Sequence, residues 1–148
     1  MRSTPFRLHA LFPNAMFGAP ATEPQVATVE AVLGVHLPEQ LRQLYFECDG
    51  MQEDRGGASY LHTLSSGPAG GSLLASTQFL WKHQFEWPDM RSFVFFGRSS
   101  GDDNWGINWR KHGEIIAFHH HMQDEFEVVA SDILDLFQSD YTKYEKLP

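Results

Sequence analysis

A run of three histidines, His119-His120-His121, is the feature of the sequence that most suggests chemistry. Imidazole nitrogens bind zinc and nickel, so the run could belong to a metal-dependent enzyme. In a β-strand, however, His119 and His121 share one face while His120 points away. A catalytic zinc needs three protein ligands, and the sequence has neither an HExxH pattern nor a cysteine pair to complete the set. The pattern therefore favours a strand end without metal, and we expect no cofactor and no metal requirement for folding.

Two further positions carry side chains that could act on a substrate or a metal. Asp102 and Asp103 precede Asn104, but their spacing does not match an EF-hand loop, and Asp and Asn beside Gly are ordinary turn formers. Cys48, the single cysteine, continues a buried helical stripe and has no evident activating base. We therefore predict that the chain has no catalytic residues.

The charge pattern suggests a surface for a protein partner. The formal net charge is −8, and the 11 Lys and Arg residues are scattered, which disfavours direct binding to nucleic acid or to an anionic membrane. Two runs, 47–54 and 124–140, contain acidic residues and no basic ones. One interpretation is an acidic docking face for a basic protein, and the other is an ordinary solvated surface that maintains solubility.

The first predicted element that could position these residues is a helix at about 23–33. Thr22 and Gln25 have the spacing of a capping box, and Gly34 suits the left-handed end of a helix. The preceding residues, 1–21, contain aromatic side chains without a clear period and are interpreted as an N-terminal arm.

A second helix is predicted at about 38–48, with Pro38 placed where its missing N–H costs little. Asp49-Gly50 ends this helix, and a polar loop follows from Gln52. The apolar residues at helical spacing, which form its predicted buried stripe, are Leu41, Leu44, Tyr45 and Cys48.

The remaining sequence predicts strands and one closing helix. Residues 58–64 alternate as a strand, Leu73-Leu74-Ala75 suggests a short strand, and Ser76 can cap a short helix after it. The consecutive apolar residues of 92–97 predict a strand buried on both faces. Further along the chain we predict a hairpin of 105–109 with 114–120, a strand at 126–129, and a final helix capped by Ser131 with Ile133, Leu134, Phe137 and Tyr141 facing inward.

This order of elements predicts an α+β fold, in which an N-terminal helical pair and a C-terminal helix pack on a mostly antiparallel sheet. We expect a single domain over 1–148, with its core at 22–141. The single cysteine, the absence of a signal-peptide pattern and the lack of a long apolar run favour a cytoplasmic protein.

Several motifs, in this order, resemble the SUKH superfamily, and the resemblance covers about 22–141. The motifs are Leu33-Gly34-Val35-His36-Leu37-Pro38 at the helical joint, Cys48-Asp49-Gly50 at its end, Phe95-Phe96-Gly97 followed by Gly101-Asp102-Asp103-Asn104-Trp105-Gly106-Ile107-Asn108, the hairpin around Gly113-Glu114-Ile115, and Ala130-Ser131-Asp132-Ile133 before the last helix.

The resemblance implies a binding module rather than an enzyme. Bacterial members of the superfamily are mostly immunity proteins that neutralise polymorphic toxins, many of them nucleases, and fungal members regulate cell-wall synthesis. The leading hypothesis is therefore an immunity protein for a basic toxin; the alternatives are a regulatory scaffold and, less favoured, a metal-dependent enzyme. Whether Trp105 is an exposed anchor or a core residue stays open. The candidate partner-binding residues are Glu53, Asp54, Asp102, Asp103, Trp105, Asp124 and Glu125.

Overall fold

A seven-stranded sheet organises the protein, and its strands follow one another in sequence order. The computed structural model describes residues 7–52, 60–65, 72–83, 90–99, 103–111, 114–119 and 125–145. All six pairings between neighbouring strands are antiparallel, which confirms the predicted α+β class. The strands are β1 (Met16–Phe17), β2 (Met51–Gln52), β3 (Tyr60–Leu61), β4 (Phe93–Arg98), β5 (Asn104–Asn108), β6 (Ile115–His119) and β7 (Glu125–Ala130).

Five α-helices lie within the described residues and pack on this sheet. None of them is long and apolar enough to cross a membrane. They are α1 (Arg7–Leu11), α2 (Glu23–Leu33), α3 (Glu39–Glu47), α4 (Leu73–His83) and α5 (Ile133–Glu145), and a short 3-10 turn covers Met90–Ser92.

The predicted N-terminal helical pair is confirmed as α2 and α3. The Thr22 hydroxyl accepts from the backbone N–H of Gln25, and the Gln25 side chain accepts from that of Thr22, so the capping box is complete. Gly34 ends α2 with φ of 72°, a left-handed conformation that favours glycine. Pro38 occupies the N-cap of α3, one position before the first helical turn where it was expected. All four residues of the predicted α3 stripe are buried.

The centre of the sheet follows the sequence prediction closely. β5 and β6 pair from Asn104↔Phe118 to Ile107↔Ile115, which confirms the hairpin. β4 is buried on both faces, as its consecutive apolar residues indicated. Gly106 of β5 pairs with Phe95 of β4 and leaves space for its ring. A Cβ at Gly106 would lie only 2.8 Å from a carbon of that ring.

Two apolar clusters lie on opposite faces of the sheet, since side chains alternate along β4. Val94 and Phe96 belong to the larger cluster, which includes residues of α1, α2, α3 and α5. Phe93 and Phe95 belong to the smaller cluster with Leu80 of α4. Helix α4 is also tied to β4 by polar contacts: the Thr77 hydroxyl accepts from the Phe95 N–H, and the Trp81 indole donates to the Phe93 carbonyl.

Three local predictions were wrong in detail. Leu73 begins helix α4 and not a strand, because the Ser72 hydroxyl accepts from the N–H of Ala75 and caps the helix earlier than Ser76. Within the predicted strand 58–64, only Tyr60–Leu61 is a strand among the described residues. In the final helix, Asp132 takes the capping role predicted for Ser131, since its carboxylate accepts from the Asp135 N–H. Among the described side chains of this helix, Ile133, Leu136 and Phe137 are buried and Leu134 is partly buried. The side chain of Tyr141, which was predicted to face inward, lies outside the described part of the chain.

The N-terminal segment, predicted as an arm, packs into the core and adds a strand to the sheet. Leu8 of α1 and Phe12 are 0% and 3% exposed and belong to the larger cluster. Met16 and Phe17 pair with β2, so the sheet extends to a strand that the sequence did not reveal. Residues 7–21 are therefore part of the packed domain.

Candidate partner-binding groove

A groove of about 820 Å³ runs between the edge strand β7 and helix α5. Four consecutive β7 residues, Glu127 to Ala130, line one side, and α5 lines the other with Asp135, Leu136, Ser139 and Asp140. Consecutive strand residues point to opposite faces. The groove therefore opens on the edge of β7 as well as on one face of the sheet.

Helix α5 is fixed at both its start and its centre. The side-chain amide of Gln40 donates to the Ser131 carbonyl, and its oxygen accepts from the N–H of Ile133, which ties the start of α5 to α3. Phe137 is fully buried and packs edge-on against Trp105, with ring centroids 5.2 Å apart. The α5 wall of the groove is thus held against the core.

The charged residues among the described lining of the groove are all acidic. Its lining includes four carboxylate residues, and no Lys, Arg or His is among the described residues that line it. Carboxylates gathered at a partly enclosed surface produce a negative potential that attracts cationic groups. The four acidic lining residues are Asp103, Glu127, Asp135 and Asp140.

Asp103, which directly precedes β5, lines the groove. The backbone N–H of Asp103 donates to the Ser99 hydroxyl, and its carbonyl accepts from the N–H of Ser99, each at 3.0 Å. This reciprocal pair closes the turn, which agrees with the reading of this segment as turn-forming. Ser99 and Asp103 both line the groove, so their structural role is compatible with partner contact.

The apolar part of the groove lies on β7. Val128 is 58% exposed and Val129 is 38% exposed, whereas the central strands β4 and β5 are almost entirely buried. The groove thus combines negative charge with a small apolar strip.

The structure brings together only part of the predicted site. Trp105 also lines the groove, but it is 2% exposed and belongs to the larger cluster, so it is a core residue and not an exposed anchor. The backbone of Glu125 begins β7. Four of the candidate residues lie outside the described residues: Glu53, Asp54, Asp102 and Asp124.

Three acidic residues of the groove, Glu127, Asp135 and Asp140, were missing from the candidate site. The signal that could have identified them was the acidic run 124–140, which contains all three. The run extends from β7 into α5, and these two elements line opposite sides of the groove.

The buried Ser76–His62 pair and Cys48 are poorly suited to act as nucleophile or base. The Ser76 hydroxyl lies 3.3 Å from Nε2 of His62, but both residues are buried. Burial, together with the Arg98 guanidinium, lowers the pKa of His62 to about 4, so this imidazole is a weak base near neutral pH. Burial and the nearby carboxylates of Glu47 and Asp49 raise the pKa of the Cys48 thiol to about 12, which suppresses the nucleophilic thiolate.

The histidine run is described only at its first residue, His119, which ends β6. His120 and His121 lie outside the described residues. Among the residues that the structure covers, no group of three His, Cys, Asp or Glu side chains could hold a metal ion.

The chain thus forms an α+β domain, with helices packed on an antiparallel sheet and an acidic groove beside the edge strand β7. The model of the SMI1/KNR4 family (SUKH-1) matches residues 20–139, and the chain belongs to this family. Comparison with curated proteins gave no significant match. The family match confirms the resemblance found in the sequence, and it begins after α1 and β1, which nevertheless pack into the domain.

Proposed function

We propose that this protein is an immunity protein that binds a basic bacterial toxin through its acidic groove and neutralises it. The groove carries the proposal: four carboxylates line it, and no described lining residue is basic. Membership of the SUKH-1 family supports it, because the resemblance implies toxin neutralisation for most bacterial members.

Charge supplies a physical route to recognition. The chain has a net charge of −8, so it attracts a cationic partner over several ångströms before contact. A nuclease binds phosphates with Lys and Arg side chains, and carboxylates can occupy the same cationic site. Neutralisation then follows either from blocking that site or from holding the toxin in an inactive shape.

The proposed partner-binding surface also includes the acidic residues that were predicted from the sequence. Asp103 already belongs to the groove, and Asp102 is its neighbour in the sequence. Asp124 and Glu125 lead into β7, which is one wall of the groove. Glu53 and Asp54 follow β2 in the sequence, and the proposal includes them as a second acidic segment that contacts the partner.

Co-expression tests the function directly. The gene that neighbours this one is expressed in a host cell with and without the full chain, and growth and co-purification are measured. We expect the neighbouring product to be toxic alone, and to be captured and harmless with this protein. A captured but non-toxic partner would favour the regulatory-scaffold alternative, and no capture would contradict both.

Stopped-flow binding to the captured partner tests the role of charge. Glu127→Gln combined with Asp135→Asn should lower the association rate about tenfold at low salt and flatten its salt dependence, because surface charges act mainly on encounter. The loop variant Asp102→Asn with Asp103→Asn should act in the same direction. Glu23→Gln combined with Glu39→Gln, which removes two charges at exposed positions outside the groove, is the matched control. Unchanged rates in both double variants would place the interface elsewhere.

A further inference from the structure

The edge of β7 has the features of a strand that accepts another strand. It pairs with β6 on one side and is the last strand in the described sheet. An edge strand presents outward N–H and C=O groups that can pair with another chain. The exposed Val128 and the carboxylate residue Glu127 occupy adjacent positions of this strand.

The register of β7 defines the length of edge that is available. Pairing with β6 is regular from His119↔Glu125 to Ile116↔Val128. Between Val128 and Ala130 the register shifts, so Val129 is the extra residue of a bulge. A bulge interrupts regular pairing, which leaves the four residues Glu125 to Val128 as the pairing segment.

We propose that an extended segment of the partner, bearing Lys or Arg, adds to β7 as an eighth strand beside α5. This inference rests on the proposed function, since it specifies how the basic partner is held. The outward main-chain groups of β7 would supply hydrogen bonds, while Val128 and the acidic residues of the groove select apolar and cationic side chains. Asp135 and Asp140 on α5 face the same groove and add charge complementarity.

Charge also selects this occupant over a second copy of the same chain. Two copies paired through β7 would bring the exposed Glu127 of each strand toward that of the other. Like charges placed together across a strand pair are destabilising. A cationic segment removes this repulsion and replaces it with attraction.

The test uses the full chain and a defined probe, an acetylated and amidated octapeptide of alternating Lys and Val. The control peptide has the same sequence with every backbone nitrogen methylated, so its charge is retained and its N–H donors are lost. Affinity is measured by calorimetry at low salt. Hydrogen exchange of the protein's backbone amides is followed with and without the peptide.

We expect the octapeptide to bind and to slow exchange of amides in β7. Methylation should weaken binding at least roughly tenfold, because two or more backbone hydrogen bonds are lost. Glu127→Gln with Asp135→Asn should weaken it by a similar factor, and Glu23→Gln with Glu39→Gln should leave it unchanged.

Three results would overturn the inference: no binding of the octapeptide, equal binding of the methylated peptide, or protection that appears on another element and not on β7. A free protein that sediments as a dimer with β7 amides already protected would assign the edge to a second copy, and would also overturn it. Neutralisation in the co-expression experiment is measured separately, so a toxin that is neutralised without protection of β7 contradicts only this inference.

Discussion

The carboxylate of Glu47 on α3 accepts two hydrogen bonds from His9 on α1, one from the backbone N–H and one from Nδ1, each 2.8 Å long. The same carboxylate accepts from the N–H of Leu8 at 3.0 Å. An ionised carboxylate can only accept hydrogen bonds, so Nδ1 of His9 carries the proton in this contact. Glu47 therefore caps the start of α1 across 38 positions of sequence.

Replacement of Glu47 by Gln should destabilise the protein by about 2 kcal/mol. The amide group has one accepting oxygen, so one of the N–H groups of Leu8 and His9 loses its partner in a buried setting. Urea unfolding measures the loss, and faster hydrogen exchange at these two amides locates it. Glu39→Gln on the same helix is the control: its side chain is 67% exposed, and the expected change is under about 0.5 kcal/mol. Equal effects of the two substitutions would show that the contact to α1 contributes nothing specific.

Trp105→Ala should destabilise the fold by about 4 kcal/mol, since it removes a large aromatic side chain from the core. The cavity would lie against Phe96 and Phe137, which contact the indole ring. Trp109→Ala is the comparison variant, because that side chain is only partly buried and should cost less. If Trp105→Ala left stability nearly unchanged and accelerated release of a partner, Trp105 would be an interface anchor and not a core residue.

The stability of the protein should fall between about pH 6.5 and pH 4 because of His62. In the folded protein its pKa is lowered to about 4, whereas the unfolded chain has a value near 6.5. As the pH falls through this window, the unfolded state binds the proton first and is favoured; above about pH 6.5 the contribution is fully present.

Denaturant unfolding of the wild type and of His62→Gln at pH 7, 5 and 4 isolates this contribution from that of other groups. The wild type should lose about 3 kcal/mol more than the variant between pH 7 and pH 4. Parallel pH profiles of the two proteins would mean that His62 accepts a proton in the folded state as readily as in the unfolded chain.

Cys48 should resist alkylation in the folded protein. Its side chain is fully buried, and its pKa of about 12 lowers the thiolate fraction at pH 8 roughly a thousandfold relative to an exposed thiol. Iodoacetamide labelling followed by mass spectrometry, with and without guanidinium, measures the two rates. Rapid labelling of the native protein would show that the structure around Cys48 unfolds locally and often.

The sequence by itself determined the elements whose signals are local. The capping box at Thr22, the left-handed Gly34 and the apolar stripe of α3 act within a few residues, so α2 and α3 could be predicted from their own segments. The apolar run of β4 and the short turn between β5 and β6 likewise predicted a buried strand and a hairpin. The acidic runs were visible in the sequence as well, and they led to the proposal of a basic partner.

Only the tertiary structure decided which acidic residues share a surface. Asp103, Glu127 and Asp140 meet in one groove because Gln40 ties the start of α5 to α3, more than 90 positions earlier. The N-terminal segment is likewise held by a long-range contact: Glu47 accepts hydrogen bonds from Leu8 and His9, which lie 39 and 38 positions earlier. Sequence periodicity reports which face of an element is apolar, but not which distant element covers it. The groove and the integrated N-terminus therefore follow from long-range contacts, whose stability arises only when the whole sheet and its helices are assembled.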